Sequence, residues 1–132
     1  MSEIVKTINE LQDLLALGEA TAIEISDAET QLRLRFADEY KEYLSHFGAI
    51  IADGIELTGI AKSEHRNVIF VTKQECGLNP QVPRNMYVVE NVGIDGIIIW
   101  QDSSGAIYQS LPGKIPQKIF DNLSEYIKSK QT

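Results

Sequence analysis

The chain has 132 residues, 43% of them hydrophobic and 23% charged, which suits one globular domain with a single core and leads us to expect one domain over residues 1–132. Its formal net charge of −7 is unevenly placed: residues 1–60 carry twelve acids against four bases, a balance of −8, and residues 61–132 carry seven against eight, a balance of +1. Such an acidic surface repels phosphate backbones and anionic lipid, so neither nucleic acid nor membrane is the expected partner, and a basic protein is. Acidity of this size also serves solubility alone.

No apolar run approaches the roughly 20 residues of a membrane-spanning helix. The start, Met1-Ser2-Glu3-Ile4, lacks a basic stretch followed by an apolar one. Cys76 is the single cysteine, so no disulfide within the chain is available and nothing points to an oxidising compartment. The expected location is the cytoplasm.

In chain order, Ile4, Ile8, Leu11 and Leu15 recur at steps of three and four, which predicts a first helix ending at Gly18. Ile23-Glu24-Ile25 reads as a short extended stretch. Ser26-Asp27-Ala28-Glu29 has capping-box spacing and predicts the start of a second helix with Leu32 and Phe36 on its buried side. A third helix begins near Ala37, with Asp38 and Glu39 at its positive end and Tyr40, Leu44 and Phe47 on one face, and it stops at Gly48. Ile50-Ile51-Ala52 and Ile55-Glu56-Leu57-Thr58 flank Asp53-Gly54, the turn pair of a two-residue hairpin.

Val68-Ile69-Phe70-Val71 reads as an apolar strand, and Thr72-Lys73-Gln74-Glu75 as a second capping box opening a brief helix or turn near Cys76-Gly77. Asn79-Pro80 and Val82-Pro83 mark a loop. Met86 to Val89 and Ile97 to Trp100 look like central strands, joined by turns at Gly93–Gly96 and Ser103-Ser104-Gly105. From Pro116, the residues Ile119, Phe120, Leu123 and Ile127 predict a final helix, with Lys128 and Lys130 at its negative end.

The order of these pieces resembles a known family. The run Asp38-Glu39-Tyr40-Lys41-Glu42-Tyr43-Leu44, a glycine and the hairpin Asp53 to Ile60 are similar to the SUKH superfamily, the Smi/Knr-like immunity domains. Pro83 to Asn91 resembles that family's proline-led strand, and Ile94 to Trp100 with Asp102 to Tyr108 its core hairpin, so the likeness runs from about Ile23 to Tyr126. Two positions depart from the family pattern: Phe36-Ala37 stands where Leu-Pro is usual, and Gly48-Ala49 where Gly-Gly is frequent. Proline helps at the first helical turn without being required there.

The resemblance implies an α+β fold, a largely antiparallel sheet of about five to six strands with N-terminal helices and a C-terminal helix packed on it. It also implies a bacterial immunity protein that binds and neutralises a cognate toxin, often a nuclease. Other members of the family are regulatory or scaffold binding modules, and that reading stays open. A nuclease presents a basic surface to its substrate, and an acidic inhibitor can cover it and be steered to it. The candidate partner-binding residues are therefore the carboxylates Asp38, Glu39, Glu42, Asp53 and Glu56, each of which can equally be a solvated surface acid. Oligomeric state is not readable from the sequence.

Catalytic, cofactor and metal sites are not expected. His46 and His65 lack the spacing of a zinc site, and no phosphate-binding glycine loop occurs. Cys76 has no local nucleophile signature. Asp95-Gly96 and Asp102-Ser103-Ser104-Gly105 are better explained as turns than as a carboxylate pair, and Trp100 with Tyr87 and Tyr108 as core rather than a binding face.

Overall fold

The computed structural model describes residues 2–131; Met1 and Thr132 of the expected domain lie outside them. Five helices and seven strands form an α+β fold, with the strands in two antiparallel sheets, β1-β2-β3 and β4-β5-β6-β7, rather than in one sheet of five to six strands.

Helix α1 spans Glu3–Asn9 and buries Ile4, Val5 and Ile8. It stops well before Gly18. Leu11 keeps the helical spacing and is buried, but Asp13 turns the chain at a φ of 56°, and Leu15–Ala16 then forms strand β1. The three-four periodicity therefore ran past the true helix end because Leu11 faces the core from a loop.

Helix α2, Ala22–Leu32, begins five residues earlier than the Ser26 spacing predicts, and takes in the Ile23-Glu24-Ile25 stretch. Its capping box is Thr21 with Glu24: the Glu24 N–H donates to Thr21 Oγ1 at 3.1 Å, and the Thr21 N–H donates to Glu24 Oε1 at 2.9 Å. Glu29 is used elsewhere, accepting the Phe36 N–H at 2.9 Å and facing Lys41 at 3.7 Å. Helix α3, Asp38–Phe47, lies where the sequence predicts it and ends at Gly48 with a φ of 74°. Ala37 cannot cap it with a side chain, and the Ala37 N–H donates instead to the Tyr87 hydroxyl at 2.9 Å.

Strands β2, Ile50–Ala52, and β3, Ile55–Leu57, form the predicted hairpin around Asp53-Gly54, with Gly54 at a φ of 79°. A 3₁₀ turn at Glu64–Arg66 leads into helix α4, Val68–Leu78. This helix replaces the strand expected at Val68–Val71 and absorbs the supposed capping box at Thr72–Glu75. Its cap is Asn67, whose Oδ1 accepts the Ile69 N–H at 2.9 Å. The buried set Val68, Val71, Thr72, Glu75 and Cys76 is a helical stripe, which outweighs the strand propensity of four apolar residues read by themselves.

Strands β4, Tyr87–Asn91, and β5, Ile98–Gln101, are buried almost throughout, as their sequence predicts. Strand β6 is Ile107–Ser110, and β7 is Gln117–Phe120 where a helix was expected. The final helix, α5, covers only Leu123–Ser129, because Asn122 caps it by accepting the Glu125 N–H at 2.8 Å. Trp100 and Tyr87 are fully buried; the Trp100 indole N–H donates to Ser110 Oγ at 2.8 Å.

The sheets are joined at Thr58. Its N–H donates to Val89 O at 2.9 Å and its hydroxyl to Val88 O at 2.7 Å. Tyr43 donates to Thr58 O at 2.6 Å, and Phe36, Tyr40, Tyr43 and Tyr87 stack around this junction with ring centres 4.7–5.4 Å apart. Two glycines allow the backbone behind the first sheet to close: a Cβ at Gly48 would lie 2.0 Å from Gly18 O, and one at Gly59 would lie 1.8 Å from Gly48 O.

Candidate partner-binding face

The five candidate carboxylates fall in separate places. Asp38 is exposed at the start of α3, beside a cleft of about 250 Å³ lined by the Ser103–Gly105 turn and by Asn122 and Ser124. Glu39, its neighbour, is taken up by the fold: Oε1 accepts the Leu123 N–H at 2.7 Å and Gln101 Nε2 at 2.9 Å, and Oε2 accepts the Ser124 N–H at 3.0 Å and its hydroxyl at 3.1 Å. A half-buried carboxylate with four donors holds the first turn of α5 against β5. Nothing in the sequence near Glu39 signals this, since its partners lie more than sixty residues away. Glu42 is half-buried on α3, and its side chain makes no hydrogen bond or ion pair among the described residues.

Asp53 and Glu56 share the β2–β3 hairpin. Asp53 is exposed at the turn, where its N–H donates to Gln12 O at 3.0 Å and ties the turn to the chain before β1. Glu56 projects from β3 and accepts Arg66 Nε at 3.0 Å. Strand register places Leu15, Ile51 and Glu56 in one row across β1, β2 and β3. Directly opposed residues share a face, so this row is the outer face of the sheet, while the adjacent residues Ile50 and Leu57 are buried beneath it. Leu15 is 57% exposed and Leu17 43%. The spacing of Leu15 from Leu11 predicts a buried helix position; its pairing with Ile51 instead sets an apolar strip beside the acidic hairpin.

Buried ionisable groups serve the scaffold. Glu90 is buried, accepts the Tyr126 hydroxyl and the Glu56 N–H, the latter at 2.8 Å, and has Lys130 at 3.7 Å. Cys76 is buried, and burial pushes its thiol above the ordinary range with only partial offset from Arg84. His46 sits exposed in the last turn of α3 with Nδ1 2.9 Å from Glu42 O, and His65 is exposed with Nδ1 2.7 Å from Ser63 Oγ. Asp102 folds its own turn, accepting the Ser104 N–H at 3.0 Å and its hydroxyl at 2.6 Å. Among the described residues no three side chains of metal-binding type come together, and no helix is long and apolar enough to cross a membrane.

No curated protein matches this chain. A family model described as SMI1-KNR4 cell-wall (SUKH_5) matches residues 1–131, nearly the full sequence. The match takes in both sheets and the described helices, and the chain belongs to the SUKH superfamily.

Proposed function

We propose that this protein is a non-catalytic binding protein of the immunity type, which neutralises a cognate toxin carrying a basic surface, a nuclease in the first instance. The observation that carries the reading is the charge of residues 1–60, −8 in a family that includes immunity proteins. Its contact carboxylates are Asp53 and Glu56 on the hairpin, with Asp38 and Glu42 on α3. Glu39 drops out of this set because its lone pairs are already committed to α5 and Gln101. Complementary charge at the rim of a contact speeds encounter and makes it depend on salt.

The family description names the cell wall, and this favours a second reading, a regulatory binding module with a partner other than a toxin. Co-expression with a toxin domain encoded beside this gene separates the two. Growth rescue together with co-purification is the expected result; a chain that neither rescues nor co-purifies is not an immunity protein. Reversing Asp53 and Glu56 together to lysine should weaken binding and flatten its dependence on salt while the domain stays folded. Unchanged affinity in the folded double variant would move the contact to another face.

A further inference from the structure

Strand β1 is the outer strand of the first sheet, and its far edge carries no partner. The Leu17 N–H donates to Ala49 O at 2.9 Å, next to the Ala16–Ile50 pair. Alternation in an antiparallel ladder then turns the N–H and C=O of Ala16 away from β2, toward solvent. Among the described residues neither group has a hydrogen-bond partner outside that ladder. Edges of this kind are usually protected by shortness, lysine, proline or a bulge. Shortness alone protects this one, a strand of two residues; residues 15–19 hold no lysine or proline and are all exposed, and Leu15 and Leu17 project on one side.

The chain around the strand carries acids alone. Residues 7–32 contain six acids and neither lysine nor arginine, and β1 lies in the middle of them. Asp13 precedes the strand, Glu19 follows it, and Asp53 is held beside it through Gln12. Past Leu17 the surface opens into a groove of about 530 Å³ lined by Glu19, Glu24, Lys62 and Arg66, where opposite charges meet. The unbalanced negative charge thus runs along the strand itself.

We infer that β1 is a docking edge at which a basic partner adds an extended strand, pairing its backbone with Ala16 and setting alternate apolar side chains on Leu15 and Leu17 while its lysines or arginines face Asp13, Glu19 and Asp53. Strand addition takes affinity from main-chain hydrogen bonds and specificity from alternate side chains. The inference rests on the reading of the protein as a binder of a basic protein, and it gives that binding a mode and a place.

The probe is a synthetic acetylated peptide alternating lysine and valine, titrated into the isotope-labelled chain and followed by amide chemical shifts. Saturable shifts centred on Leu15–Leu17 and Ile51 are expected. Ala16→Pro removes the outward N–H without touching a bond to β2, and should weaken binding roughly tenfold or more. Leu15→Ser with Leu17→Ser carries the same test through side chains if the proline variant does not fold. A peptide alternating lysine and serine should bind far more weakly than the valine peptide. Absence of saturable binding, shifts scattered over other carboxylates, equal binding by the serine peptide, or full affinity in the folded variants would each overturn the proposal. Growth rescue is a separate measurement, so failure of the toxin reading and failure of the docking edge are told apart.

Discussion

At the scale of single residues, two adjacent acids on α3 do different work because of what faces them. Asp38 is exposed and contributes only a favourable charge at a helix start, so Asp38→Ala should cost under about 1 kcal/mol. Glu39 satisfies both backbone N–H groups that open α5, along with Gln101 and the Ser124 hydroxyl. Glu39→Ala strands these donors, and a loss of about 3 kcal/mol is expected in urea unfolding, with α5 cut early by protease. Near-equal stabilities of the two variants would show that Glu39 is a surface acid after all. The sequence told the two apart nowhere: a carboxylate in a first helical turn looks the same whether its lone pairs meet water or another helix.

At the scale of elements, close backbone approach sets the tolerance to change. Gly59→Ala would drive a Cβ to 1.8 Å from Gly48 O, contact with backbone that cannot rotate away, and should cost more than about 3 kcal/mol or abolish folding. Gly77 lies exposed in α4 with open space at its Cβ, so Gly77→Ala should stabilise by about 0.5–1 kcal/mol. Thermal unfolding of the pair checks both signs, and a neutral Gly59→Ala would mean the hairpin can shift outward.

Legibility followed the same physics. The α3–Gly48–hairpin segment was readable because each junction has a local cause: acids at a helix start, a glycine at its end, Asp53-Gly54 at the turn. Helix α4 was misread because Val68 to Val71 suits either state, and the deciding stripe runs on through Glu75 and Cys76. Strand β7 was misread as helix because Ile119, Phe120 and Leu123 keep helical spacing across a strand–helix junction. The exposed edge at β1 was invisible for a related reason: only pairing with β2, more than thirty residues on, turns Leu15 outward.

For the whole molecule, the tyrosines set the alkaline limit. Burial, the leading cause in each case, raises the phenols of Tyr40, Tyr43, Tyr87 and Tyr126 above the ordinary 10.0; the charge of Glu90 adds to it at Tyr126. Their folded values exceed their unfolded ones. The stability they contribute is therefore complete below pH 10 and drains away as pH rises beyond it. Tyrosinate absorbance and far-ultraviolet dichroism should change together in one cooperative step above that pH. Ionisation of these four phenols with the dichroism intact would contradict their burial.

The packing of α1 against α5, tied at the surface by Glu3 and Lys128, bears on the order of biosynthesis. Helix α1 also packs on α3, but its cover by α5 is missing until residues 123–129 have left the ribosome, and the carboxylate of Glu39 waits on the same backbone. Nascent chains halted before Leu123 should therefore leave Ile4, Val5 and Ile8 only partly covered and depend on chaperones, while release of α5 closes this part of the core late.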